Sequence, residues 1–164
     1  MSVIPAIAEC LKGSYPSDSA FIGSAGRVAA VAEVVAAVAG AVYWSRRPEP
    51  TGHSAIALRV LSQSPEYALD SEIGAVQPII QVDVFTKGRP PIVCLNLADA
   101  CRRALSGYRG TLWHPDETEV MIHSAVILRE PTEPARLPTD AGVYWSFAAG
   151  FDCEVTYTRT VIAS

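Results

Sequence analysis

The chain has 164 residues, 49% of them apolar and 18% charged, which places it in the globular range and excludes wholesale disorder. At this length one ordinary domain buries about 70% of the surface its unfolded form exposes, so a large multi-domain enzyme is excluded and no covalent staple is needed. Eleven Arg and two Lys against seventeen acids leave a net charge of −4, without the basic excess of a general nucleic-acid coat.

Residues 1–23 begin with a short apolar turn, Ile4 to Leu11, and continue through a Gly/Ser/Pro-rich stretch from Gly13 to Asp18. They read as an N-terminal extension to a core at 24–161 within one domain, and they lack the basic flank and long apolar run of a signal peptide. Ser24 is placed to cap a helix and Gly40 to stop it. Between them Val28, Val31, Val35 and Val38 recur at helical spacing, Val34 widens the stripe, and alanines let the helix press closely on a sheet. The stretch from Val28 to Trp44 carries one charge, Glu33. Its seventeen residues sit at the lower limit of a spanning helix, and a central acid costs about 2.5–3.5 kcal/mol there, so the expectation is a buried core helix and no membrane.

The period then changes from 3.6 to 2. Ile56, Leu58 and Val60 alternate with Ala57, Arg59 and Leu61 as one strand, and Ile80, Val82 and Val84 alternate with Gln81, Asp83 and Phe85 as another. Between them Gln63 to Pro78, with acids and two prolines, reads as a long loop. Pro90-Pro91 open a second helix that runs to Leu105 and ends at Gly107. Cys94, Leu97, Ala98, Cys101 and Leu105 point inward on it, and Asp99, Arg102 and Arg103 point outward.

The last third reads as β. Val120 to Arg129 is rich in β-branched residues. From Tyr144 to Arg159, Trp145, Phe147, Ala149, Phe151, Cys153, Val155 and Tyr157 share one face, and Ser146, Ala148, Gly150, Asp152, Glu154, Thr156 and Thr158 the other. That length predicts a bulge or bend near Ala148–Gly150. The connector Glu130 to Gly142, with three prolines, reads as a functional or mobile loop. Val-Tyr-Trp-Ser occurs at Val42 and again at Val143, each copy opening a strand, and the repetition reads as coincidence. The fold class is therefore α+β: a mainly antiparallel sheet with two principal helices on one face, in the order α-β-β-α-β-β.

Chemical signals are sparse. Gly23-Ser24-Ala25-Gly26 lacks the third glycine of a dinucleotide turn and the Gly-Lys-Ser/Thr ending of a P-loop, and reads as a plain helix cap. His53, His114 and His123 have no i, i+4 partner, and the cysteines lack zinc spacing. No Gly-x-Ser-x-Gly elbow occurs. Cys94 and Cys101 stand about 10 Å apart along their helix, beyond the roughly 7 Å reach of a disulfide. With Cys10 and Cys153 they read as buried free thiols in a reducing compartment. Asp152 and Glu154, two apart on one strand face, read as a solvated pair. No catalytic residue, cofactor or metal is expected, and only carboxylates paired across strands are left open.

Taken in order, a small-residue helix ends at Val38-Ala39-Gly40 and is followed by Val42-Tyr43-Trp44 and the turn Arg46-Arg47-Pro48-Glu49-Pro50. Then come the strand Ala55–Ser62, Gln81-Val82-Asp83-Val84-Phe85, the helix with Leu97 through Gly107, and Phe151-Asp152-Cys153-Glu154-Val155-Thr156-Tyr157. From about Val28 to Tyr157 this arrangement resembles the tail-terminator (tail-completion) family of long-tailed bacteriophages and related gene-transfer particles. The N-terminal stretch Met1–Gly23 and the connector Glu130–Gly142 depart from its shorter members.

The resemblance implies a non-enzymatic virion protein of the tail–neck region, assembled in the host cytoplasm. Such a protein forms a homo-oligomeric ring, usually hexameric, at the head-proximal end of the tail tube. It ends tube polymerisation and presents the docking surface of the neck. Its partners are the tail tube protein and a head-completion or connector protein, with DNA only as cargo. Six copies at −4 each carry −24, which suits a conduit. Candidate lumen-facing acids are Asp83, Asp152 and Glu154. Candidate partner contacts are Glu130, Pro131, Thr132, Glu133, Pro134, Arg136 and Pro138 of the connector, with Gln63–Pro78 and Met1–Gly23. The alternatives are a head–tail connector or tube subunit of the same particle, or a small α+β enzyme or ligand-binding domain with a deep apolar pocket.

Overall fold

Proline and left-handed residues punctuate the helices. The computed structural model describes residues 3–13, 25–44, 53–67, 72–113, 119–131, 133–137 and 145–160. Helix α1 (Ile4–Leu11) has proline in its first turn. Helix α2 (Ala25–Val38) stops where Ala39 and Gly40 turn to φ 47° and 85°. Helix α3 (Pro91–Leu105) starts on the proline pair, ends with Arg102 and Arg103 in its last turn, and is followed by Gly107 at φ 68°. The strands are β1 (Val42–Trp44), β2 (Ser54–Tyr67), β3 (Glu72–Thr86), β4 (Gly110–Trp113), β5 (Glu119–Arg129), β6 (Ala135–Arg136) and β7 (Phe147–Thr160).

The strands form one curled mixed sheet in the order β1-β2-β3-β7-β5-β4, with β6 beside the first residues of β7. Only β1 and β2 run parallel among the described pairs. Strand alternation turns Ile56, Leu58, Ile80, Val82, Val84, Phe151, Cys153, Val155 and Tyr157 toward the helices, where they meet Ile7, Val34, Leu97 and Cys101 in one core. Arg27 of α2 ties the two longer helices together. Its Nη2 donates to the Ser106 carbonyl at 2.8 Å, and its guanidinium lies 5.4 Å from the Tyr108 ring centroid. Glu33 and Arg103 add an ion pair of 2.7 Å. All four cysteines are buried free thiols. Among the described residues no helix is long and apolar enough to cross a membrane.

Several expectations are corrected. Among the described residues the element order is α-α-β-β-β-α-β-β-β-β, with three helices. Strand β1 stands where the first Val-Tyr-Trp-Ser copy opens, and the additional strands β4 and β6 are four and two residues long, too short to show a period. Ile4 to Leu11 is a core helix, with Ile4, Ile7 and Leu11 buried, so this part of Met1–Gly23 is not available as a contact arm. The expected loop Gln63–Pro78 instead belongs to the β2–β3 hairpin, with Gln63 opposite Pro78 and Pro65 opposite Val76. Both prolines fit for backbone reasons. Pro65 lies on the outer strand of the pair, and the β3–β7 ladder passes from Val76 to Ile79 without pairing Pro78.

The bulge expected near Ala148–Gly150 is absent, since those residues stay in register with Phe85, Val84 and Asp83. The extra residues sit on β5 at His123 and Leu128 and on β2 at Leu61, and the β2–β3 register shifts again between Pro65 and Tyr67. Small side chains let β7 run straight, and its neighbours absorb the twist. The connector is not a free loop either, because Ala135 and Arg136 pair with Ala148 and Phe147. Ser24, His114, Thr132, Pro138 and Tyr144 lie outside the described residues, as does the side chain of Val28.

Candidate functional site

The sheet face opposite the helices holds the candidate site. Register places one polar row across four strands: Arg59 of β2 stands opposite Gln81 of β3, Gln81 opposite Asp152 of β7, and Asp152 opposite Arg129 of β5. Arg59 Nε donates to Gln81 Oε1 at 2.6 Å. Arg129 grips Asp152 with two bonds, Nε to Oδ2 at 3.1 Å and Nη2 to Oδ1 at 3.3 Å. Such a fork is the strong geometry for a guanidinium and a carboxylate.

Asp83 lies two residues further along β3, opposite Gly150. A Cβ on Gly150 would collide with the Asp83 carboxylate and would stand 2.9 Å from the Val82 carbonyl oxygen. Glycine is therefore what lets the carboxylate lie flat across β7. Burial pushes the Asp83 carboxyl above its usual range, and the neighbouring Asp152 charge adds to this, against the pull of Arg59, Arg129 and the Gln81 hydrogen bond. The third candidate acid, Glu154, follows on the same face of β7, opposite Ile79 and Val126. The structure thus brings Asp83 and Asp152 together and puts Glu154 beside them, with Asp152 held by Arg129. Two guanidiniums are interleaved with three carboxylates.

An open notch of about 200 Å3 lies here, lined by Gln81, Asp83, Arg129, Ala148, Ala149 and Gly150. It exists because β5 leaves β7 at Asp152 and β6 joins only at Ala148. The connector candidates lie near this break. Glu130 is exposed and reaches Arg102 of α3 at 3.2 Å, Glu133 and Arg136 are exposed, and Pro131 and Pro134 are half-buried. Arg59, Gln81, Arg129 and Gly150 were not singled out from the sequence. Their signal is register, which joins residues 22 and more positions apart and leaves no local pattern.

Elsewhere the chemistry is quiet. Among the described residues no group of three or more His, Cys, Asp or Glu is placed to hold a metal. Burial pushes the thiols of Cys10 and Cys153 up to about 12, and those of Cys94 and Cys101 upward too, so they stay protonated at neutral pH. His123 is exposed, with Nε2 3.0 Å from the Thr158 hydroxyl. A gap of about 10 Å3 between α1 and the sheet, lined by Ile7, Cys10, Leu105, Tyr108, Leu112, Ile122, Ala125 and Val155, has the room of a single water and no polar wall. Neither a family model nor a curated protein matches this chain.

Proposed function

We propose that this protein is a ring-forming structural subunit of the tail-terminator kind, acting by binding and without turnover. The observation that carries this reading is the broad sheet face turned away from the three described helices, where a polar row crosses four strands and is closed at one end by the Arg129–Asp152 ion pair. A face that carries an internally bonded polar row and no convergent reactive cluster suits a contact or a channel wall more than a substrate site. On this reading six copies close a ring on the last turn of a tail tube, and Asp83, Asp152 and Glu154 face its lumen. With Arg59 and Arg129 between them, that wall is weakly negative and does not grip passing DNA. The tail tube protein binds one side and the head-completion or connector protein of the neck the other. The exposed connector residue Arg136 is offered to one of them.

The test is the solution mass of the purified chain by light scattering, with negative-stain images of the same sample. Six copies of a 17.5 kDa chain, about 105 kDa, with a central hole support the reading. Filaments point to a tube subunit instead. Particles assembled without the protein should carry tubes of uncontrolled length, and tubes of normal length would overturn the role.

A further inference from the structure

Among the side chains described, seven large apolar ones are exposed, and six of these stand at the two ends of the sheet. Trp44, Val60 and Leu61 lie on β1 and β2, and Met121, Val126 and Leu128 lie on β5. The seventh, Ile92, is on the first turn of α3. Each end also has a strand edge that no described strand covers. Pairing of β1 reaches only as far as Leu58, so among the described residues nothing pairs with the outer edge of β2 from Arg59 onward. Strand β4 covers β5 up to Ile122, and the Gly107 amide takes the Ala125 carbonyl at 2.9 Å, so β5 is bare at 126–129.

The two bare edges share an irregularity. A bulge inserts one extra residue in each, Leu61 on β2 and Leu128 on β5, and these leucines are 48% and 50% exposed. Edge bulges stop unlimited strand pairing, but a protected edge normally also displays lysine, and neither Lys12 nor Lys87 lies on these edges. A bulge with an exposed leucine therefore forbids a continuous ladder while still offering an apolar contact. The charges differ between the ends. Arg59 on the β2 edge spends its hydrogen bond on the neutral Gln81 amide, whereas exposed Glu133 stands in the connector four residues after β5, Glu130 before it being paired with Arg102.

The geometry points to one occupant for both edges, a second copy of this chain. We infer that the β5 end of one copy packs against the β2 end of the next, Leu128 and Val126 against Leu61 and Val60, with Glu133 beside Arg59. Two different, complementary patches make a heterologous contact, which is the kind that closes into a ring. The inference rests on the ring reading above and names the surfaces that build it.

The experiment uses two double variants, Val60→Lys with Leu61→Lys and Val126→Lys with Leu128→Lys, each checked for an unchanged circular dichroism spectrum and melting temperature. The expected result is a wild-type ring, a 17.5 kDa monomer for each variant alone, and a heterodimer of about 35 kDa when the two are mixed, because each keeps one intact end. A homodimer of either variant would show a two-fold contact and overturn the inference. Two variants that both keep the wild-type mass would overturn the edge assignment and leave the ring reading standing. A wild-type chain that stays monomeric up to about 1 mM, weaker than ordinary specific association, overturns the edge contact. The ring reading is then decided separately by tube length in assembled particles. If a lysine pair unfolds the chain, Arg59→Glu reads the same contact. It should weaken association about tenfold, and adding Glu133→Arg should restore it. No change in either variant would overturn the inference.

Discussion

Along β3 and β7 successive side chains alternate between two environments. Ile80, Val82, Val84, Phe151, Cys153 and Tyr157 lie under the helices and are at most 2% exposed, while Gln81, Asp83, Asp152 and Glu154 between them are half-buried on the bare face. The same backbone thus supports two kinds of energetics. Each large side chain under the helices contributes about 1.5–3 kcal/mol of burial, whereas a partly exposed ion pair such as Arg129–Asp152 contributes about 0–1 kcal/mol. Stability is concentrated on one face, which leaves the other free to be shaped for contact.

The largest expected effect on this contrast is alkaline. Cys10 and Cys153 are held up at about 12 in the folded chain against an ordinary value of 9.0, because burial penalises the thiolate. A folded value above the unfolded one means the unfolded chain releases its protons first. Stability is therefore intact below pH 9 and falls as pH rises from 9 toward 12. Melting temperatures across that window should drop steeply, and the Cys10→Ala, Cys153→Ala double variant should move the alkaline midpoint upward. A midpoint that does not move would assign the transition to other groups.

Next is Phe151→Ala, on the covered face at 0% exposure. It should cost about 3–5 kcal/mol in denaturant unfolding, the range for emptying a fully packed aromatic site. A loss under about 1 kcal/mol would mean that the helices do not hold this face. One residue away the chemistry changes. Gly150→Ala should cost about 1–3 kcal/mol by overpacking, since the new methyl group meets the Asp83 carboxylate and the Val82 carbonyl. Adding Asp83→Ala should recover only part of that, because the backbone carbonyl remains. Full recovery would place the whole conflict on the carboxylate.

The covered face was largely legible in the sequence, and the bare face was not. Period-2 alternation at Ile80–Val84 and Ala149–Tyr157, and the helical stripe at Cys94–Leu105, each specify their own buried side without reference to the rest of the chain. The proline pair at Pro90-Pro91 and Gly40 likewise mark boundaries through local backbone rules. The row Arg59–Gln81–Asp152–Arg129 depends instead on the registers of three strand pairs, and a one-residue slip would disperse it. Alternation alone puts Asp83, Asp152 and Glu154 on the face away from the helices, but the arginines beside them arrive from strands whose pairing no local pattern encodes. The β2–β3 hairpin reads as a loop in the sequence for a related reason. Pro65 and Pro78 argue against strand locally, and only the sheet shows that Pro65 sits on an outer edge and that Pro78 falls where the ladder to β7 is interrupted.

The smallest effect is also the sharpest probe of the bare face. Burial raises the Asp83 carboxyl above its ordinary value of 3.8 despite Arg59 and Arg129 nearby, so desolvation outweighs the attraction. The sign follows from the unfolded chain, which holds its proton more weakly than the folded one. The protonated acid's contribution is complete below about pH 3.8 and is lost as pH rises through the folded value, so at neutral pH the charged form is a liability. Asp83→Asn keeps the shape, stays neutral at every pH and can still bond Gln81. It should therefore leave the melting temperature unchanged or raise it by a few degrees at pH 7, and that difference should vanish near pH 3. A clear destabilisation at pH 7 would mean that the two guanidiniums need this carboxylate, and that the row is held by attraction rather than merely neutralised. In a ring whose lumen is lined by this face, the same substitution makes the wall less negative by one charge per copy. The comparison of Asp83→Asn with wild type then separates what the acid does for the fold from what it does for a passing polyanion.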